Sequence, residues 1–229
     1  MRREPFTVGS YIHVIKRGSR GLPIIKDERD RFRFLLMLKH FNDEYQPDNW
    51  FRDLVESGFD KTFDRPDIWP EQEKIVGVIG YCLLDNHFHL LLKEIIPDGI
   101  SKFMQRLGIG MAKYYNEKYK EKGSLFQSSY RSRTIDDDIY LQYVSAYIQV
   151  KNCFETYDGG YEVACRNFND AFDWAKNNPY SSLGEFLGSR SPAIVDFDEV
   201  ESIFETKNYK NFCKDFIEGR ASEEDPTFE

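Results

Sequence analysis

Two of the chain's four histidines, His87 and His89, are separated by one residue in the stretch "YCLLDNHFHLLLKE", residues 81–94. Side chains alternate between faces along a strand, so both imidazoles project to one face, about 7 Å apart along the chain. Phe88 then projects to the other face, into a core. Two imidazoles so placed can hold one divalent metal and leave positions open for a third ligand and a substrate oxygen. Two half-buried histidines, each hydrogen-bonded to a neighbour, are the structural alternative. Tyrosines supply the other reactive groups. Tyr140, Tyr143 and Tyr147 form a helical stripe, and Tyr114, Tyr115 and Tyr119 form another group. By spacing alone either set fits a core as well as a nucleophile.

These residues sit in a chain of 229 residues with 41% apolar and 31% charged side chains. That composition fits a folded domain with a sizeable core and argues against disorder. No apolar run reaches the length of a membrane span. The N-terminal "MRREPFTVGSYIHVIKRG" lacks the apolar core of a signal peptide. Cys82, Cys153, Cys165 and Cys213 are scattered, as in a reduced cytoplasmic protein, the expected location. The net charge of −8 conceals an uneven distribution. Residues 101–134 hold eight bases and two acids, whereas residues 193–229 hold eleven acids and four bases. A basic block of this kind suits phosphate contacts, and equally a solvated helix.

The elements that must position the histidines follow from periodicity. Residues 7–17 alternate as a strand, and "KDERDRFRFLLMLKHFNDEY" has helical spacing at Phe32, Leu35, Leu36, Leu38 and Phe41. Residues 46–72, with three prolines, read as a loop with a short helix. "EKIVGVIGYCLL" and "HFHLLLKEI" read as two strands across an Asp85-Asn86 turn. A helix follows, its start marked by Ser101. A loop then runs into a strand near 123–135, and a helix opens on Asp136, Asp137 and Asp138, where the helix dipole favours acids. Helices near 164–176 and 198–217 complete the pattern. This order predicts an α+β fold, an antiparallel sheet with helices on one face.

Five ordered segments between about residues 11 and 188 resemble one family. "DNHFHLLL" is similar to the "PNHxHLLL" of the HUH single-tyrosine transposases, and "YIHVIKRG" at 11–18 to their first strand. "GSLFQSSYRSR", "DDDIYLQYVSAYI" and "PYSSLGEFLG" resemble later family segments. The REP-associated tyrosine transposases and related insertion-sequence enzymes are the nearest in pattern. The resemblance implies a ferredoxin/RRM-like HUH endonuclease fold over residues 1–192, interrupted by an insertion at 43–72. Residues 193–229 would be an acidic C-terminal helical extension, expected to cover the basic block as a DNA mimic.

The resemblance further implies a DNA transposase or endonuclease that uses Mg²⁺ or Mn²⁺. It would cut and rejoin single-stranded or hairpin DNA through a 5′-phosphotyrosine. Alternatively the chain is a domesticated relative that binds hairpins without cutting. His87 and His89 take the place of the metal ligands, and Tyr147 of "YIQVKN" that of the nucleophile. One departure stands out. Relatives place a polar residue one helical turn after the tyrosine, and position 151 here is lysine. A charged ammonium offers no lone pair. His13 or Asn152 is therefore the candidate third ligand, and Lys151 a candidate phosphate contact that favours the phenolate. Arg17, Lys102, Arg106, Lys113, Arg131 and Arg133 are further candidate DNA contacts. Tyr130 and Phe126 are candidate stacking platforms. A homodimer is a further expectation from insertion-sequence relatives.

Overall fold

A computed structural model describes residues 6–58, 62–191, 193–204 and 206–219. Four strands form one antiparallel sheet: β1 (Tyr11–Arg17), β2 (Val76–Leu83), β3 (His87–Glu94) and β4 (Arg131–Ile135), in the order β2-β3-β1-β4. With α1 (Glu28–His40) between β1 and β2 and α3 (Gly99–Tyr119) between β3 and β4, this is the expected α+β architecture. The short helix α2 (Trp50–Ser57) lies within the 43–72 segment. After β4, α4 (Asp138–Ala146) runs through a π-helical turn, Tyr147–Lys151, into α5 (Asn152–Phe154). Among the described residues that follow come α6 (Gly160–Arg166), α7 (Phe168–Asn177), α8 (Leu183–Phe186), α9 (Phe197–Ile203) and α10 (Tyr209–Ile217). No helix among the described residues is long and apolar enough to cross a membrane.

Register decides which side chains share a face. Ile15 pairs with His89, Arg17 with His87 and His13 with Leu91 across β1 and β3, and directly opposed residues point the same way. On one face lie Ile12, Val14, Phe88, Leu90 and Leu92, all fully buried. This face is covered by α1 and α3: Phe34 of α1 packs on Phe88 at 4.9 Å, and Gly108 of α3 abuts the Lys16 side chain. The other face carries His13, Ile15, Arg17, His87, His89 and Leu91. It is not left open, because the π-turn between α4 and α5 packs across β2 and β3. On β4, Arg131 pairs with Ile15 and Arg133 with His13, so both arginines belong to the histidine face. β1 then ends in a sharp turn at Gly18, where a Cβ would sit 2.1 Å from the Leu22 carbonyl oxygen. Gln127 N–H donates to the Arg17 carbonyl there, tying the "GSLFQ" loop to the end of β1.

Helix starts are fixed by local chemistry. Asp27 and Asp30 form a capping box at α1, each carboxylate accepting the other's backbone N–H. Asp30 is fully buried and also accepts from Tyr114 and Tyr119 hydroxyls and the Lys118 ammonium. Burial alone would raise its carboxyl pKa. Lys118, Tyr119, the Lys26 N–H and Tyr114 outweigh that and hold it below the usual carboxylate range. A depressed folded pKa gives stability that is present above the unfolded value and lost as pH falls through the folded one. Asp30→Ala is therefore expected to cost about 2–4 kcal/mol at pH 7. In urea unfolding the gap to wild type narrows below about pH 4; a gap independent of pH would show that the carboxylate charge is not what stabilises.

Helix α3 begins at Gly99, two residues before the expected Ser101. The buried Glu94 carboxylate accepts the Ile100 N–H, replacing a serine cap, and Ser101 Oγ meets Tyr130 Oη at 3.3 Å instead. Asp137 caps α4 as the acidic start predicts, accepting the Tyr140 N–H at 2.8 Å. The 43–72 segment has its own small core of Leu36, Leu54 and Trp69, with Phe32, Trp50, Phe51 and Phe63 around it.

Residues 193–219 do not form an arm over segment 101–134. Val195, Val200, Phe204, Tyr209 and Cys213 are buried in the main core. Asp196 N–H donates to the Val78 carbonyl of β2, and Glu199 accepts from Lys93 at 2.7 Å and from Tyr11. The acidic tail beyond residue 219 lies outside the described residues.

Candidate active site

Strand parity brings His87 and His89 to one face, as the spacing predicts, and their ring centroids lie 5.0 Å apart. His89 is 1% exposed and His87 is buried nearer the rim. Each ring has its Nδ1 engaged. His87 Nδ1 lies 2.6 Å from Asn86 Oδ1. The Asn86 amide nitrogen donates to the Gly21 carbonyl, which fixes the amide oxygen toward His87. An amide oxygen only accepts, so His87 carries its proton on Nδ1 and a lone pair on Nε2. His89 Nδ1 lies 2.9 Å from His13 Nε2, and the two rings stack at 5.2 Å. His89 Nε2 is buried with no hydrogen-bond partner among the described residues.

Burial keeps the His13 and His89 rings neutral. It drives the His13 pKa down to about 3, aided by the cross-strand Arg133 guanidinium. His89 falls well below the ordinary value, from burial first and then from His13 and His87. A neutral imidazole is the form that ligates metal. Two imidazole rings on one face, with the His89 Nε2 buried and orphaned among the described residues, fit a divalent cation. Mn²⁺, a softer acceptor than Mg²⁺, suits imidazole better. Among the described residues, no group of three His, Cys, Asp or Glu side chains is arranged to hold a metal.

The π-turn places Tyr147 on this pair. Its ring packs edge-on against His89 at 5.6 Å and against His13 at 5.9 Å, and it is 2% exposed. The turn also changes which residue follows Tyr147 along the helix. The Asn152 N–H donates to the Tyr147 carbonyl, a bond spanning five residues instead of four. Asn152, not Lys151, is thus the residue one turn on. Its amide nitrogen is buried with no hydrogen-bond partner among the described residues. Lys151 points elsewhere in part: it pairs with Glu155 at 2.9 Å while its ammonium sits 5.1 Å from the Tyr147 ring centroid.

A buried polar network holds the wide turn. Ser181 Oγ donates to the Gln149 carbonyl, Ser182 Oγ donates to Gln149 Oε1 at 2.7 Å, and the Tyr81 N–H of β2 donates back to Ser182 Oγ. Sequence reasoning quoted "PYSSLGEFLG" without assigning it this work. It also missed Asn86 as the group that orients His87, although Asn86 stood in the quoted motif. The π-turn left one trace in the sequence, a polar residue five positions after the tyrosine.

The candidate DNA contacts divide by face. Arg17, Arg131, Arg133 and Lys151 are on the histidine side, with the Arg133 guanidinium 4.5 Å from the Tyr140 ring. Helix α3, with Lys102, Arg106 and Lys113, covers the opposite face. Lys102 is paired with Glu44, and Arg106 donates to the carbonyls of Phe41, Asp43 and Glu44, fastening the end of α1. Lys113 is exposed. Phe126 is 5% exposed, edge-on to Phe88 with Lys16 over its face, which makes it core. Tyr130 is partly buried against the core.

Comparison with known proteins adds a family to this geometry. Residues 70–151 match the family model described as "Transposase IS200 like". The span runs from before β2 to the end of the π-turn and includes His87, His89 and Tyr147, so the resemblance to single-tyrosine transposases holds there. A solved structure of a REP-associated tyrosine transposase bound to a REP hairpin is similar at 12% identity, covering 86% of this chain and 93% of that one, with a TM-score of 0.38. No curated protein matches the chain.

Proposed function

We propose, with the transposase family match over residues 70–151 as the premise, that the chain cuts and rejoins single-stranded or hairpin DNA through Tyr147. The observation that carries this reading is the contact of Tyr147 with His89, whose ring shares a face with His87 and whose Nε2 is buried with no hydrogen-bond partner among the described residues. His87 and His89 would hold Mg²⁺ or Mn²⁺, with Asn152 as the favoured third ligand because the π-turn brings it one turn beyond Tyr147. Such an ion, when bound, would supply Lewis-acid polarisation of the scissile phosphate.

The remaining chemistry belongs to the chain. Tyr147 Oη attacks phosphorus, a Tyr–O–P bond forms, and the bond from phosphorus to the 3′ oxygen breaks. That oxygen takes up a proton and leaves as a 3′-hydroxyl. The phosphotyrosine conserves the phosphodiester bond energy, so attack by a 3′-hydroxyl rejoins a strand without a nucleotide cofactor. The Lys151 ammonium, 5.1 Å from the Tyr147 ring centroid, stands close enough to meet the scissile phosphate. Arg17, Arg131 and Arg133 line the approach of the phosphate backbone.

Incubation with labelled hairpin-bearing single-stranded DNA and Mn²⁺, followed by a denaturing gel, tests the reading: a covalent protein–DNA band is expected. Salt-sensitive binding without that band would support a second reading, a hairpin-binding relative that no longer cuts. The burial of Tyr147 favours that alternative, since in-line attack requires the ring to be uncovered.

Face assignment gives a separate expectation. Replacing Arg131 and Arg133 with alanine should weaken DNA binding and flatten its salt dependence by about 0.7 log units per lost phosphate contact. Lys102→Ala on the opposite face should leave the slope unchanged. Titrations at several salt concentrations measure both, and equal effects from the two faces would contradict the assignment.

A further inference from the structure

We propose that a cleft between α7 and the end of β2 is a stacking site for one unpaired base of the DNA strand, with Trp174 as its platform. This rests on the single-strand reading above and adds a site to it. The cleft holds about 350 Å³ and is bordered by Leu83, Thr156, Trp174, Asn178 and Tyr180, with Glu28 and Arg31 of α1 at its side. Ligand cavities begin at roughly 300 Å³, so this one suits a single planar ring system and not a duplex. Its walls adjoin the candidate active site. Leu83 pairs with Phe88, the residue between the two histidines, and the Leu84 N–H donates to the His87 carbonyl. From the other side, Asn178 Nδ2 and the Thr156 hydroxyl both bond Cys153, the residue after Asn152. The cleft thus lies where β2 hands over to β3, beside the end of the helix that carries Tyr147.

Two partly exposed rings border this space without touching each other. Among the described residues, the Trp174 ring packs against Tyr157 at 5.3 Å and the Tyr180 ring against the Arg31 guanidinium at 4.9 Å. A third ring can therefore enter between them. Both are held in place before it arrives. The Tyr180 hydroxyl donates to Glu28, and its N–H donates to Asn178 Oδ1 at 2.9 Å. Rings fixed in advance lose little freedom on binding, which favours affinity. The charges at the side are already matched: Arg31 pairs with Asp85 and with Glu28. With no uncommitted cation on its walls, the cleft suits an uncharged base better than a phosphate. Stacking of this kind accepts any base, because each has a π-face.

The test uses binding, not cleavage. Hairpin oligonucleotides with single-stranded flanks are titrated with the full chain, one flanking nucleotide at a time being replaced by an abasic analogue. One position should cost the wild-type chain roughly 5–100-fold in affinity. Trp174→Leu should lose a similar factor on the intact oligonucleotide and become indifferent to that position, whereas Trp174→Phe should keep both properties. A flank with no sensitive position, or one equally sensitive in the leucine variant, would overturn the proposal. Should the leucine variant fail to fold, the wild-type chain decides. With 5-iodouracil in the flank, photo-crosslinking should map by mass spectrometry to Trp174 or Tyr180, and adducts confined to other residues would overturn the site. A chain that binds no hairpin oligonucleotide would sink the single-strand reading and the site together. An adduct at Trp174 in a chain that never forms the covalent tyrosine link would overturn cleavage and leave the stacking site standing.

Discussion

Tyr147→Phe is expected to abolish the covalent DNA adduct and slow strand cleavage by on the order of 10⁴-fold or more, as loss of a nucleophile does. Fold and DNA affinity should be retained. The ring is 2% exposed and held on three sides, edge-on by His13 and His89 and across its face by Lys151. Phenylalanine keeps all of that packing and removes only the hydroxyl, so stability should change by about 1 kcal/mol or less. Affinity should persist because the proposed phosphate contacts are arginines on β1 and β4. The neighbouring tyrosines are the controls. Tyr143 packs against Phe212 and Phe216 of α10, away from the histidines, and Tyr143→Phe should still form the adduct. An adduct that survives in Tyr147→Phe and maps to another tyrosine would remove Tyr147 from the proposal.

Removing residues 193–229 should prevent stable folding. Among the described residues the segment contributes six buried apolar or aromatic side chains, Ile194, Val195, Val200, Phe204, Tyr209 and Cys213. Burying a Val, Phe or similar side chain contributes about 1.5–3 kcal/mol, so their sum, roughly 10 kcal/mol, rivals the whole stability of a typical domain. Polar groups would suffer too. The Glu185 carboxylate accepts N–H groups from Ala193, Ile194 and Val195, and is 3% exposed. Tyr209 Oη bonds Ser145 Oγ at 2.8 Å, and Phe186 packs on Phe204 and Tyr209. Circular dichroism during urea titration should show the truncated chain without a cooperative transition. A transition near that of the full chain would make this segment an appendage, and tighter DNA binding by such a folded chain would restore its role as a DNA mimic.

The sheet was legible because strand periodicity and the Asp85-Asn86 turn are local signals, and the histidine face followed from counting residues. The second helical cover over that face was not, because a buried β2 reads as an apolar run whichever helices lie on it. Net charge misled in a specific way. Segment 101–134 is basic in sequence, yet Lys102 and Arg106 are consumed by residues 41–44, and only folding shows which bases face the histidines. Likewise residues 193–229 read by charge as an acidic extension lying over the basic block, although apolar residues between 194 and 213 carry the contacts. Tyr147 was chosen by family resemblance, since its spacing matched that of two other tyrosines.

The wide turn after Tyr147 amounts to a phase change in the helix. One residue more than an α-turn needs is accommodated there. Everything downstream, Asn152 first, is advanced by one position relative to an uninterrupted helix, about 100° of rotation. The turn's width, and not the identity of residue 151, thus decides which side chain follows the tyrosine. A fixed four-residue step from Tyr147 lands on Lys151 and passes over Asn152, the polar side chain one wide turn away.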